Sequence, residues 1–229
     1  FETLQDRHEL VYSEQGLAAE NVDAYRDADI LSVFIYSELD ADLLGAMEDL
    51  EFIATRSTGY DHIDADYCRE HDIAVANVPD YGSTTVAEHV FALLLAVSRH
   101  LVEAVDRTRR GDFSLTGLRG FDLRGKTLGV IGTGSIGQCV CRIAGGFGME
   151  ILAYDVAHRE ELAEELGFRY VEMEELLARS DAITLHVPAN PQTRHMISDE
   201  QFSQMKDGVV LINTARGSVV DINALVRAL

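Results

Sequence analysis

The sequence predicts an α/β protein built as two doubly wound parallel-sheet domains. Three observations carry that reading. Short apolar strand-like runs alternate with helical patterns from Ile30 onward, which is the rhythm of strands joined by helical crossovers. The rhythm halts in the Pro/Gly-interrupted stretch "NVPDYGSTT" (77–85) and restarts after a long helical run. The restart opens with a strand that ends in a glycine-rich turn, "TLGVIGTGSIGQ" (127–138).

In chain order, the first half offers strands at "ILSVFIY" (30–36), "EFIATRS" (51–57) and "IAVANV" (73–78). Helical patterns lie between them at "ADLLGAMEDL" (41–50) and "IDADYCREH" (63–71). A single helix then runs from Thr84 to about Arg110, apolar around most of its circumference in its first half. The second half offers strands at 127–132, 150–155, 169–171, 182–188 and 209–213. Helices fall near 135–146, 159–166, 172–179 and 198–205. The division is placed between residues 1–82 and 83–229. The near-continuous apolar character of these strands fits parallel sheets covered on both faces.

Charge narrows the partners. The chain holds 19 Lys+Arg against 39 Asp+Glu, a formal net charge of −20, which argues against a nucleic-acid backbone or an anionic membrane. Lys126 and Lys206 are its only lysines, and carboxylate abundance with scarce lysine suits concentrated salt, where repulsion is screened. The longest apolar run, "VFALLLAV" (Val90–Val97), is too short for a membrane span. Cys68, Cys139 and Cys141 are odd in number and form no C-x-x-C, so reduced thiols in a cytoplasmic setting are expected, with neither a disulfide framework nor a metal site. The chain opens at Phe1 without a charged and apolar leader pattern, and reads as trimmed at its front.

The motif with the clearest chemistry is Gly132-x-Gly134-x-x-Gly137, which closes one strand and opens a helix. Gly132 permits the tight turn, Gly134 lets backbone approach a pyrophosphate, and Gly137 lets the helix pack on its strand. The helix N-terminus that follows favours negative charge. Asp155 ends the following strand in "LAYDV", where a carboxylate can accept from both ribose hydroxyls and repel a 2′-phosphate. NAD is therefore the expected cofactor, in preference to NADP. In "VVLINTARGSVVD" (209–221), a strand delivers Arg216 to its carboxyl end and turns at Gly217. A planar fork of donors with permanent charge is suited to a carboxylate.

Five stretches in order, "STGYDHID" (57–64), "VPDYGSTTVAEH" (78–89), "GKTLGVIGTGSIG" (125–137), "LHVPANPQTRHMI" (185–197) and "LINTARGSVVD" (211–221), resemble the D-isomer-specific 2-hydroxyacid dehydrogenases, with wording nearest the lactate-type members. The resemblance implies a flavodoxin-like substrate domain, a Rossmann NAD-binding domain and interconversion of a small, pyruvate-like 2-oxo acid with its D-2-hydroxy acid. It implies that Arg216 lies at the mouth between domains, binds the substrate carboxylate and polarises the reacting carbonyl. Backbone around Thr58 and Gly59 would hold the same carboxylate, and Tyr81 would face the substrate. Ser135 and Ile136 would meet the cofactor pyrophosphate, and Val187 and Pro188 would flank the adenosine half, with Thr193, Thr214 and Ala215 as further contacts. His186 would support the cofactor wall, and His89 reads as a structural helix histidine. A homodimer through the helix near 84–110 is implied as well. The glutamate and histidine that handle the proton in this family come downstream of the arginine motif, and the chain stops at Leu229 before reaching them.

Other readings of the same fold are an NAD(H)-sensing corepressor-like binding protein and a dehydrogenase of glyoxylate or phosphoglycerate. A formate enzyme is disfavoured by its different pocket wording. A phosphorylated substrate would want extra cations, of which Arg56 is the obvious one.

Overall fold

The computed structural model describes residues 7–229, which divide into two compact units with the boundary between Tyr81 and Gly82.

In the first unit, β1 (Ile30–Val33), β2 (Phe52–Thr55) and β3 (Ala74–Ala76) form a parallel sheet in that order, with Ile30 opposite Phe52 and Ile53 opposite Val75. The crossovers are the helices Ala41–Gly45 and Ala65–Glu70. Each starts on an aspartate that accepts a first-turn N–H: Asp40 from Leu43 and Asp64 from Tyr67, both at 2.9 Å. Ile53, Leu39, Leu44 and Cys68 are fully buried between sheet and helices. The strands are shorter than the apolar runs predict. β1 stops at Val33 because Ser37 donates back to the Phe34 carbonyl at 3.2 Å, which turns the chain.

In the second unit the strands are β4 (Thr127–Ile131), β5 (Glu150–Tyr154), β6 (Arg169–Tyr170), β7 (Ala182–Leu185) and β8 (Val210–Asn213). All are parallel, in the order β6-β5-β4-β7-β8. β4 is central and buried along its whole length. Its side chains alternate: Leu128 and Val130 join the core under the helices Ser83–Ser98 and Ser135–Gly146, while Ile131 joins the opposite core under the helix Met173–Arg179. Helices therefore cover both faces, as a parallel sheet requires. Gly129, midway along β4, lets the latter helix sit close. A methyl there would lie 2.4 Å from Ser180 Oγ and 2.6 Å from Leu176 Cδ2.

The predicted single helix from Thr84 to Arg110 is two helices, Ser83–Ser98 and Leu101–Arg109, bent by 63°. The break comes from outside the helix. Ser98 is fully buried, and its carbonyl accepts the Phe121 N–H at 3.0 Å. Gly120 fits so tightly there that a methyl would fall 1.8 Å from that oxygen. His100 then turns the chain with φ of +48°, a conformation that periodicity does not encode. Among the described residues, no single helix is long and apolar enough to cross a membrane.

Candidate active site

In the second unit, strand order reverses direction between β4 and β7, since the chain leaves β4 for β5 on one side and returns to β7 on the other. Ligands of open parallel sheets sit at the carboxyl ends of such a pair. Two loops meet at this point. His186 N–H donates to the Ile131 carbonyl at 2.7 Å, which draws the end of β7 against the end of β4. Gly132, with φ of +96°, makes the turn out of β4, and a methyl on it would lie 2.8 Å from the backbone C and O of His186. Gly137 is equally constrained, because its methyl would stand 2.1 Å from the Gly132 carbonyl oxygen. Around Gly134, by contrast, an added methyl would meet nothing within 4 Å.

Gly134 is the N-cap of the helix Ser135–Gly146. Among the described residues no side chain caps that terminus, and its first turn carries no acid. The N–H groups at Ser135 and Ile136 are thus left for an anion, with open space beside Gly134 for it to approach. This arrangement fits a dinucleotide pyrophosphate.

Asp155 follows β5. Its Oδ2 accepts the Thr133 N–H at 2.7 Å and the Thr133 hydroxyl at 2.9 Å, and its Oδ1 accepts the Ala157 N–H at 3.0 Å. Burial alone would raise this carboxyl's pKa, but those hydrogen bonds hold it below the ordinary aspartate value. Asp155 is thereby held as a fixed anion beside the β4 turn.

Beyond β7, His186 is mostly enclosed, and burial pushes its pKa down to about 4, so the ring is neutral at pH 7. Nε2 pairs with Thr184 Oγ at 2.9 Å, while Nδ1 and the Thr214 hydroxyl are buried polar groups without a hydrogen-bond partner among the described residues. Val187 is half-buried and Pro188 exposed. Thr193 is buried, and its hydroxyl is 2.5 Å from the Pro188 carbonyl oxygen, holding the 188–193 loop closed.

Arg216 leaves the end of β8 half-buried, and one of its Nη atoms donates to the Ala215 carbonyl at 3.0 Å. The turn is shaped by Asn213, whose Oδ1 accepts the Ala215 N–H at 3.0 Å and whose Nδ2 donates to the Arg216 carbonyl at 2.8 Å. A second strut comes from His195 and Ile197, whose N–H groups donate to Ser218 and Val219 carbonyls at 2.8 and 3.1 Å. Gly217, expected to be needed for the turn, opens a 3-10 turn instead; its φ is not left-handed, and a methyl would meet nothing within 4 Å.

In the first unit, the loop after β2 holds Thr58 and Gly59. Ser57 is buried, and its hydroxyl donates to the Gly59 carbonyl at 2.7 Å; the Asn77 amide donates to the Thr58 carbonyl at 2.8 Å. Both carbonyls are thereby occupied and the loop's shape is set. Arg56, the extra cation considered for a phosphorylated substrate, bends back so that Nε donates to the Val33 carbonyl at 3.3 Å. Tyr81 is largely exposed at the end of its unit, and His89, read as structural, is exposed on its helix. Asn213, Thr133, Ser57 and Asn77 escape a reading of the sequence for reactive groups. The Asn213 spacing, three residues before an arginine at a strand end, is the one signal available.

The strand order, the glycine turn and the anionic Asp155 define the second unit as a dinucleotide-binding domain. The chain belongs to the D-isomer specific 2-hydroxyacid dehydrogenase family, and residues 91–229 match that family's NAD-binding domain. It is 47% identical to a 2-hydroxyacid dehydrogenase homolog of Haemophilus influenzae over 180 residues, 79% of this chain and 54% of that one. It is 42% identical to the D-lactate dehydrogenase of Escherichia coli over the same fractions. A D-lactate dehydrogenase from Aquifex aeolicus, solved in complex with NAD and lactic acid, is 45% identical with a TM-score of 0.93, covering 99% of this chain and 68% of that chain. The chain thus spans about half to two thirds of the length of these relatives.

Proposed function

We propose that the protein is an NAD-dependent oxidoreductase that interconverts a small 2-oxo acid, pyruvate-like in size, and the D-2-hydroxy acid. The single observation that carries this reading is the placement of Arg216 at the carboxyl end of β8, its backbone held by Asn213, in the same unit as the pyrophosphate cradle and Asp155. NAD, when bound, supplies or takes up the hydride. Gly132, Gly134, Ser135, Ile136 and Gly137 would hold the pyrophosphate, and Asp155 the adenosine ribose. Val187, Pro188, Thr193, Thr214 and Ala215 would line the rest of the cofactor. Arg216 would grip the substrate carboxylate and polarise the carbonyl as charge builds on its oxygen. Backbone N–H groups at Thr58 and Gly59 would share the carboxylate, with Tyr81 beside the substrate. The bend of Arg56 toward Val33 supports an unphosphorylated substrate.

The setting is read as cytoplasmic, with Cys68, Cys139 and Cys141 all unbridged. The functional unit is read as a homodimer. Leu93, Val97, Leu101, Val102 and Val105 leave apolar surface exposed on the helices Ser83–Ser98 and Leu101–Arg109, and a light-scattering mass of one chain would overturn this.

The test is NADH oxidation with pyruvate and with glyoxylate in molar potassium chloride, followed at the nicotinamide band, with chiral analysis of the product. Formation of the D-hydroxy acid supports the proposal; intact NADH binding without turnover on either acid sinks this substrate class. Arg216→Lys should bind NADH normally and lose most of kcat/KM, about 100-fold or more, because a point charge cannot reproduce the bidentate fork. Near-normal kcat/KM would remove Arg216 from the mechanism.

A further inference from the structure

We propose that Tyr170 is a positioning residue for cofactor choice, acting on Asp155 through the Thr133 hydroxyl. This role rests on Asp155 being the ribose acceptor.

Thr133 is buried, and its Oγ lies 2.9 Å from Asp155 Oδ2 and 2.9 Å from the Tyr170 hydroxyl. A threonine hydroxyl has one proton to give. An ionised carboxylate can only accept, so that proton goes to Asp155. Thr133 Oγ must then accept from Tyr170, which fixes the direction of the chain: Tyr170 O–H to Thr133 Oγ–H to Asp155 Oδ2. Each donor in such a chain polarises the next, which strengthens the final bond. Oδ2 already takes two hydrogen bonds, from Thr133 N–H and Oγ–H. Oδ1 accepts from the Ala157 N–H, and the Val156 N–H binds the same carboxylate.

The Tyr170 ring braces the other side of the same acid. It stacks on His158 at 4.2 Å and 4°, and meets Phe168 edge-on at 5.1 Å. His158 follows directly on Ala157, whose N–H binds Oδ1. One residue on the short strand β6 thus touches the two segments, at Thr133 and at 157–158, that fix both carboxylate oxygens. A carboxylate that cannot rotate favours the diol of NADH and keeps its charge turned toward a 2′-phosphate. With the Thr133 hydroxyl's bond to Oδ2 weakened, the carboxylate turns more easily and makes room for NADPH.

The experiment is fluorescence titration of the intact protein with NADH and with NADPH, beside the melting temperature without cofactor. Tyr170→Phe keeps both ring contacts and removes only the hydroxyl. NADH should bind about 3- to 10-fold more weakly, the size of one lost hydrogen bond in a charged chain. NADPH should bind no more weakly than before, so the preference for NADH narrows by the same factor. Thr133→Val should narrow it too, Thr133→Ser should restore it, and Tyr170→Phe should add nothing in the Thr133→Val background. Equal weakening for both cofactors, or an unchanged preference in Tyr170→Phe, overturns the relay. Asp155→Ala separates the two levels. If it leaves the preference intact, Asp155 is not the ribose acceptor and the proposal falls with that reading; if it abolishes the preference while Tyr170→Phe does not, only the relay fails.

Discussion

The three glycines of the β4 turn should fail in different ways when a single methyl is added, although they belong to one motif. At Gly132, alanine must hold φ of +96° and place Cβ 2.8 Å from the His186 backbone. Strained φ costs about 1–3 kcal/mol and overpacking about as much again, so the second unit should lose roughly 2–6 kcal/mol. At Gly137 the backbone is ordinary helix, where alanine gains about 1 kcal/mol over glycine. Its Cβ, however, would sit 2.1 Å from the Gly132 carbonyl oxygen, a backbone atom that cannot turn away. Overpacking of about 1–3 kcal/mol less that gain leaves a net loss of up to roughly 2 kcal/mol, as helix and strand separate. At Gly134 φ is −65° and a methyl meets nothing within 4 Å, so stability should stay within about 0.5 kcal/mol. That same empty space is where the pyrophosphate would approach Ser135 and Ile136. Gly134→Ala should therefore weaken NADH at least about tenfold, roughly 1.4 kcal/mol. Urea denaturation and NADH titration on the three variants read both quantities. A Gly134→Ala protein that binds NADH normally, or a Gly132→Ala protein as stable as the parent, would refute the assignment of roles.

Two further expectations concern residues flanking that turn. His186 titrates near 6.5 when unfolded but near 4 in the folded protein, so below pH 6.5 the unfolded chain binds a proton that the native state refuses. Stability that is fully present above pH 6.5 should fall toward pH 4 by on the order of 3 kcal/mol. His186→Gln should flatten that slope in urea midpoints taken at pH 5 and 7, and parallel slopes would show that His186 is not the group responsible. Asn213→Ala removes both hydrogen bonds that shape the Arg216 turn, and should lower kcat/KM for the oxo acid about tenfold with NADH affinity unchanged. If kcat/KM holds, the turn keeps Arg216 in place without its asparagine.

What the sequence displayed and what it hid divide along a physical line. The parallel sheets were legible because burial on both faces leaves continuous apolar runs, as in β4, where every residue from Thr127 to Ile131 is buried. The glycine turn and Asp155 were legible because backbone conformation and charge leave a mark at fixed spacing. The bend at His100 was not, since its cause is Phe121 claiming a carbonyl from a helix already complete in its own pattern. The same holds for Thr133. In sequence it is the unconstrained position inside Gly-x-Gly, yet in the fold it bonds Asp155 and Tyr170 across separations of 22 and 37 residues. Tyr170 reads as a half-buried strand residue, and only β5 lying between β4 and β6 in the sheet brings it near the β4 turn. Patterning reports which face a residue occupies, whereas hydrogen-bond partners depend on strand order, which patterning leaves open. Charged residues and glycines at fixed spacing are therefore found first, and their hydrogen-bond partners emerge only once the sheet is assembled.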